Sequence, residues 1–464
     1  MLIIERNSNF SKELDYIIKV IFTHFLHVDF QISDSLDKTK LTMFSSKDGN
    51  RKIEFDLSFF NLIDDSWGEL NSLPKEPLKY YSPSSDGIDC LSVEPTLPVF
   101  YSSSNLPSIS FGDTVSCNID FFGTIFFVLS SYEEFVLTQR DKLGRFISKY
   151  SILNRENLIE RPVVDEYIAL LFSLINTTFP SVNACYAKFD EKFITCDVDW
   201  PEDPSLSSWK VLCRDVLVKL IKDKKPLVAC GKIFNFFKNK LGLSYKDEYL
   251  DNVYRIMKEN EILGNKVSFY FIPKNTSNLD SYVDYSSKNI KTMISEILSR
   301  GHKFGIHPGY GCYKNEASFK SSLNTFKIIQ SQYTENKGIE SRMHFLRWDI
   351  RKTPQLMEKY DVVMDSTLGF ADAAGFRVGT SKTFNMYDLV ARKPLKIIQR
   401  PLIAMECSII SSRYQNLGYS EESLNKFKLL RSRCKMFGGT FTLLWHNSFF
   451  YNYEDWEFYK ELID

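Results

Sequence analysis

Along residues 190–464, short apolar runs alternate with longer stretches whose apolar residues recur at helical spacing. The runs are KFITCDVD, VSFYFIP, KFGIHPG, RMHFLRW, DVVMDST, PLKIIQRPL and GTFTLLWHN, and the stretches between them include DEYLDNVYRIMKENEIL and SKNIKTMISEILSRG. Such alternation predicts an α/β fold with about seven mainly parallel strands, in an open sheet or closed into a barrel. The earlier part of the chain has a different rhythm. FFGTIFFVLSSYEEFVL and DEYIALLFSLINTTF (165–179) read as apolar helices, whereas residues 72–108 are dense in proline and serine and read as loop. TTFPSVNACYAKFD reads as a connector. The pattern therefore divides the chain into a smaller mixed α/β domain over 1–185 and a larger domain over 190–464.

Polar residues stand at the ends of the apolar runs. Asp197 and Asp199 close the first, His307 the third, Asp365 and Ser366 the fifth, and His446 and Asn447 the last, while Arg342 and His344 lie in the fourth. The C-terminal ends of parallel strands share one face, and α/β folds build their sites there. Two carboxylates one residue apart repel each other unless a cation, metal or arginine, neutralises one of them. Aspartate with histidine is a donor set suited to zinc and related divalent metals. His302 precedes a strand tip and reads as structural. His24 and His27, in the apolar stretch FTHFLH, read as ordinary residues of the first domain.

Composition acts mainly by exclusion. Lys+Arg and Asp+Glu are 58 each, so no overall charge favours nucleic acid, and only a local basic patch is left open. None of the nine cysteines forms a CxxC pair, which argues against a cysteine zinc site. The start, MLIIERNSNFSKEL, lacks the basic and long apolar regions of a secretory signal, and no apolar run reaches the ~18 residues of a membrane span. A cytoplasmic protein without a membrane span is the expectation.

The order of strand-tip residues resembles that of the polysaccharide deacetylases with NodB homology, carbohydrate esterase family 4. The likeness runs over roughly 190–450 and is strongest to a bacterial subgroup in which this domain follows an uncharacterised N-terminal domain. SSYEEFVLTQRDKLGRF and ERPVVDEY are similar to that N-terminal partner. The resemblance implies a distorted (β/α) barrel that removes acetyl groups from sugars with a divalent metal, zinc first, with cobalt or manganese as alternatives. It implies, within TCDVD, Asp197 as general base and Asp199 as metal ligand, although the family's two aspartates are adjacent and here Val198 separates them. GHKFGIHPGYG offers His307 as a ligand. SRMHFLRW offers Arg342 to orient the base, DST offers Asp365 to support the acid, and LLWHN offers His446 as that general acid.

A second position departs from the family pattern. A second ligand histidine is expected four residues after His307, where Gly311 stands. His344, two residues past Arg342, is the expected substitute ligand, the other reading being a wall of the substrate groove. Trp200, Tyr310, Trp348 and Trp445 adjoin the tips and are candidates for stacking on a sugar ring or for local packing. The implied partner is an acetylated sugar or a surface-polysaccharide precursor. Val198 and Gly311 keep open a degenerate deacetylase fold that binds a glycan or partner without hydrolysis; related barrels hydrolyse cyclic amides, which keeps open a hydrolase of another non-peptide C–N bond.

Overall fold

The computed structural model describes residues 1–37, 39–186, 191–222, 226–335, 338–450 and 452–464. The last four residues of the expected connector, 187–190, lie outside the described residues. The chain forms two compact units: Met1–Lys192 joins Gly338–Leu443 in the first, and Phe193–Lys337 joins Leu444–Asp464 in the second.

The first unit opens with strands β1 (Leu2–Asn7), β2 (Phe30–Ser35), β3 (Lys40–Ser45), β4 (Lys52–Asp56), β5 (Lys79–Tyr81), β6 (Leu97–Val99), β7 (Ile109–Ser110) and β8 (Thr114–Cys117). Six of them make a mixed sheet in the order β2-β1-β3-β4-β8-β7, and β5 pairs antiparallel with β6. Alternate residues of β1 and β3, Leu2, Ile4, Leu41 and Met43, are fully buried, as a sheet with one covered face requires. Over this sheet lies the helix Phe121–Leu129, buried on every side. Its N-terminus is capped by Asp120, which accepts from the Gly123 and Phe59 amides at 2.6 and 2.8 Å. A side chain on Gly123 would bring its Cβ to 2.5 Å from Phe59 Cβ, so only glycine allows this approach.

FFGTIFFVLSSYEEFVL is not one helix, as the apolar run predicts, but two. Ser130 turns its hydroxyl back onto the Phe126 carbonyl at 2.6 Å, Ser131 takes φ +55°, and a new helix starts at Tyr132. Serine's competition for backbone acceptors breaks a run that hydrophobicity alone would continue. The predicted helix at 165–179 is present as Val163–Thr178.

In the second unit β9 (Glu191–Val198), β10 (Val267–Phe271) and β11 (Lys303–Ile306) are parallel neighbours. The connecting helices Glu248–Ile262 and Lys288–Ser299 match the amphipathic stretches. His302 is structural: its Nδ1 accepts from the Val267 amide at 3.0 Å and its Nε2 lies 2.9 Å from Glu261.

The first unit resumes with β12 (Ile339–Ser341), β13 (Val362–Asp365), β14 (Phe384–Asp388), β15 (Lys393–Gln399) and β16 (Ala404–Met405), and β17 (Thr440–His446) follows. Strands β12, β13 and β15 are parallel in that order, and β14 is antiparallel to β15. RMHFLRW is therefore not a strand. The strand ends at Ser341, and His344–Leu346 is a tight turn with Phe345 and Leu346 at φ +61° and +53°.

A buried ion pair and side-chain hydrogen bonds tie the two stretches of this unit together. Arg377 grips the Glu134 carboxylate with two nitrogens at 2.9 and 2.8 Å and donates its third to the Gly369 carbonyl. Thr380 donates to Asp165 at 2.9 Å, and Ser148 holds Asp372 through both its amide and its hydroxyl. Among the described residues no helix is long and apolar enough to cross a membrane.

Candidate metal and acid–base site

Four of the expected residues meet at strand tips within the second unit. Asp197 is the penultimate residue of β9 and is 2% exposed; Asp199 follows the strand's end. His307 follows β11, where its amide extends the parallel ladder by donating to the Phe271 carbonyl at 2.8 Å. His446 ends β17. The Nε2 of His307 lies 3.3 Å from Asp199 Oδ1 and 3.7 Å from Asp197 Oδ2, and the Nε2 of His446 lies 3.8 Å from Asp199 Oδ2. Strand pleating would send residues 197 and 199 to the same side of the sheet, which is how one intervening valine, fully buried, still leaves both carboxylates on one imidazole.

The loops around these tips are held from within. The Asn447 amide, next to His446, donates to the carbonyls of Trp200 at 2.8 Å and Tyr249 at 3.1 Å, and Asn252 donates to the Asn447 carbonyl at 2.9 Å. Ser281 donates its hydroxyl to the Asp199 carbonyl.

Gly311 belongs to a built turn. Asp280, buried, accepts from the Thr276 amide and hydroxyl and from the Tyr310 amide, all at 2.7 Å. The Gly311 amide donates to Thr276 Oγ1 at 2.9 Å, and a Cβ at Gly311 would sit 3.3 Å from three atoms of Thr276. Thr276, held by Asp280, thus fills the space beside the position where the family pattern has its second histidine. Sequence reasoning did not single them out, because IPKNTSNLDSY offers nothing to distinguish a turn clamp from ordinary loop polarity.

The remaining polar candidates lie in the first unit. Arg342 is fully buried just past β12 and donates to the Ser366 carbonyl and hydroxyl at 2.9 Å each. Asp365 ends β13 and accepts from the Thr367 amide at 2.8 Å and hydroxyl at 2.6 Å. Burial pushes the Asp365 carboxyl up to about 6 against the opposing pull of Thr367 and Arg342. His344 is 5% exposed and leads into the left-handed pair Phe345 and Leu346. Each such residue costs of order 1–3 kcal/mol unless its surroundings impose it. Here Arg347 donates to the Leu143 carbonyl at 2.8 Å and Arg145 to the Phe345 carbonyl at 3.4 Å, so the N-terminal stretch holds this turn.

The aromatic candidates divide. Trp200 is 38% exposed, and Tyr310 is partly exposed beside His307. Trp445 is fully buried against Phe450 and Tyr459, and Trp348 is 1% exposed. Neither of these two indoles presents a face to solvent, and both pack as core.

The model of a family of unknown function (DUF7033) matches residues 1–180, a stretch that contains both N-terminal motifs quoted above. No curated protein matches the chain. A solved crystal structure of a provisionally assigned polysaccharide deacetylase from Mycobacterium smegmatis aligns with 59% of this chain and 82% of its own, at 11% identity and a TM-score of 0.38, a likeness too loose to carry an argument.

Proposed function

We propose that the chain is a metal-dependent hydrolase that removes the acetyl group from an N-acetylated sugar or surface-polysaccharide precursor. In this reading a distorted (β/α) barrel over 190–464 carries the site and follows an N-terminal domain over 1–185. The observation that carries it is the meeting of Asp197, Asp199, His307 and His446 at the tips of β9, β11 and β17. The donor set fits a divalent metal: ligands at about 2.0–2.1 Å in tetrahedral geometry stand roughly 3.3 Å apart, and His307 Nε2 lies 3.3 Å from Asp199 Oδ1. Asp199 and His307 would hold the ion, and the resemblance offers His344 as the third ligand, which would complete the usual set of two imidazoles and a carboxylate.

A bound divalent metal supplies Lewis acidity, which polarises the acetyl carbonyl and acidifies water. Asp197 takes the proton of the attacking water, its carboxylate held ready by Arg342. His446 gives its proton to the leaving nitrogen, with Asp365 in support, so that amide and water become acetate and a free amino sugar. Trp200 and Tyr310 are the groove walls this reading keeps.

The test uses the purified full chain with a panel of acetylated sugars. About one divalent ion per chain is expected, along with chelator-sensitive release of acetate. Asp197→Asn should retain the metal and lose turnover, and His446→Ala should lose about 10²–10⁴-fold in rate. Activity that survives complete metal removal, or near-wild-type rates in both variants, overturns the assignment. Gly311 is the specific observation favouring a non-hydrolytic relative, and a metal-loaded chain that binds glycans without releasing acetate would establish that alternative.

A further inference from the structure

Between β9 and the helix Glu248–Ile262 the second unit inserts a helical hairpin. Its first arm runs from Trp209 to Leu217 and continues to Lys222, and its second runs from Pro226 to Lys240. The arms pack on each other through Leu212, Ala229 and Phe236, and the ring of Trp209 lies 5.6 Å from that of Phe236. The hairpin is fastened to the loop after β9: Lys232 reaches Asp203 at 2.6 Å, and Asn239 donates to the Leu206 carbonyl at 3.0 Å.

The opposite face of the second arm is apolar and open to solvent. Leu227 is 87% exposed, Phe234 61%, and Leu241, just past the helix end, 71%; they recur every seven residues, and Phe237 stands among them at 50%. On the first arm Leu217 and Ile221 are exposed as well, at 56% and 74%. An apolar stripe of this extent on an otherwise soluble surface calls for an occupant.

Charge identifies that occupant. In a chain with no net charge, residues 209–243 hold nine lysines and arginines against two aspartates, Asp215 and Asp223. Of these cations Lys219 is buried and Lys232 is tied to Asp203, whereas Lys238 arches over the Phe234 ring of the stripe at 4.6 Å and Lys210, Arg214 and Lys240 are exposed. An exposed apolar helix face with tryptophan and phenylalanine, flanked by cations, is the pattern of a helix lying in a lipid interface. Lysines and arginines near an anionic bilayer are drawn to its negative surface potential. The second arm has 15 residues, below the roughly 20 needed to span, so it would lie in the membrane plane. A second copy of the chain fits less well, because face-to-face docking would bring two strongly positive hairpins together.

We propose that this hairpin docks on an anionic lipid bilayer, with Leu227, Phe234, Phe237 and Leu241 entering the boundary between headgroups and acyl chains. The proposal stands apart from the hydrolase reading, and its test needs no substrate. The full chain is sedimented with vesicles of phosphatidylcholine alone and of phosphatidylcholine mixed with phosphatidylglycerol. Binding to the mixed vesicles is expected, with loss at high salt and little binding to phosphatidylcholine alone. The triple variant Leu227→Ser, Phe234→Ser, Phe237→Ser should lower partitioning by at least about tenfold, because three large apolar side chains no longer leave water on docking. The charge variant Lys210→Glu, Arg214→Glu, Lys238→Glu leaves the apolar stripe intact and should abolish the preference for anionic lipid. Matching circular dichroism and melting curves exclude misfolding. Failure to bind the mixed vesicles, indifference to both sets of substitutions, or a vesicle-free dimer that the serine variant dissociates in the analytical ultracentrifuge each overturns the proposal.

Discussion

The buried pair between Glu134 and Arg377 offers a direct measure of how far the N-terminal stretch and residues 338–443 depend on each other. Glu134→Gln keeps the shape of the side chain and removes its charge. The two side chains are 4% and 2% exposed and meet through two parallel hydrogen bonds, so the guanidinium left behind has little water to turn to. Its remaining partners, the Gly369 carbonyl at 2.8 Å and the Phe370 ring at 5.3 Å, carry no negative charge. Breaking one side of such a pair costs about 3–5 kcal/mol. At ~2–4 °C per kcal/mol for a body of this size, the melting temperature should fall by roughly 10 °C. The double variant Glu134→Leu, Arg377→Met should recover most of that loss, because the pair contributes little relative to apolar groups of similar volume. Urea midpoints and thermal melts followed by circular dichroism provide the readout. A loss below about 1 kcal/mol in the single variant would show that water reaches the pair and that the two stretches are not locked through it.

Two further outcomes follow from the site. Gly311→His should not add a ligand: its Cβ would press on Thr276 at 3.3 Å, costing about 1–3 kcal/mol in the urea midpoint with metal content unchanged, and a gain in metal affinity without loss of stability would show that the turn yields. Asp365 holds its proton up to about 6 in the folded chain, above its ordinary value of 3.8, so the folded state binds more protons between these values and this group's contribution to stability falls as pH rises from near 4 to near 6, by about 3 kcal/mol; Asp365→Asn should flatten that part of the stability–pH curve, and parallel curves for the two proteins would refute the assignment.

The parts of the fold that sequence made legible are those in which one face repeats. β9, β10 and β11, the two amphipathic helices between β9 and β11, and the helix Val163–Thr178 all follow apolar periodicity. Periodicity failed where a single polar atom decided the path. Ser130 ended a helix whose hydrophobic run continued, and the turn at His344–Leu346 replaced a strand because contacts from Leu143 and Arg145, about two hundred residues earlier, impose it. Asp197, Asp199, His307 and His446 were legible because each stands where an apolar run ends. Asp280 and Thr276 were not, since their role depends on where the turn at Gly311 passes. For Trp445 and Trp348 proximity in sequence leaves sugar stacking and local packing equally open, and an inward-pointing strand residue and a tight turn bury both, giving packing.

The division of the first unit into two separated stretches has a consequence for how the protein is made. Residues 1–192 leave the ribosome long before 338–443, their partners in the same compact body. At about 5–20 residues per second, synthesis of the intervening residues 193–337 lasts roughly 7–29 s. Throughout that interval Glu134 awaits Arg377, Asp165 awaits Thr380, and the apolar face of the Val163–Thr178 helix lacks part of its cover. The nascent chain must therefore carry an incomplete core past the exit tunnel. Until residues 338–443 are made, that uncovered surface stays open to chaperones and to other chains.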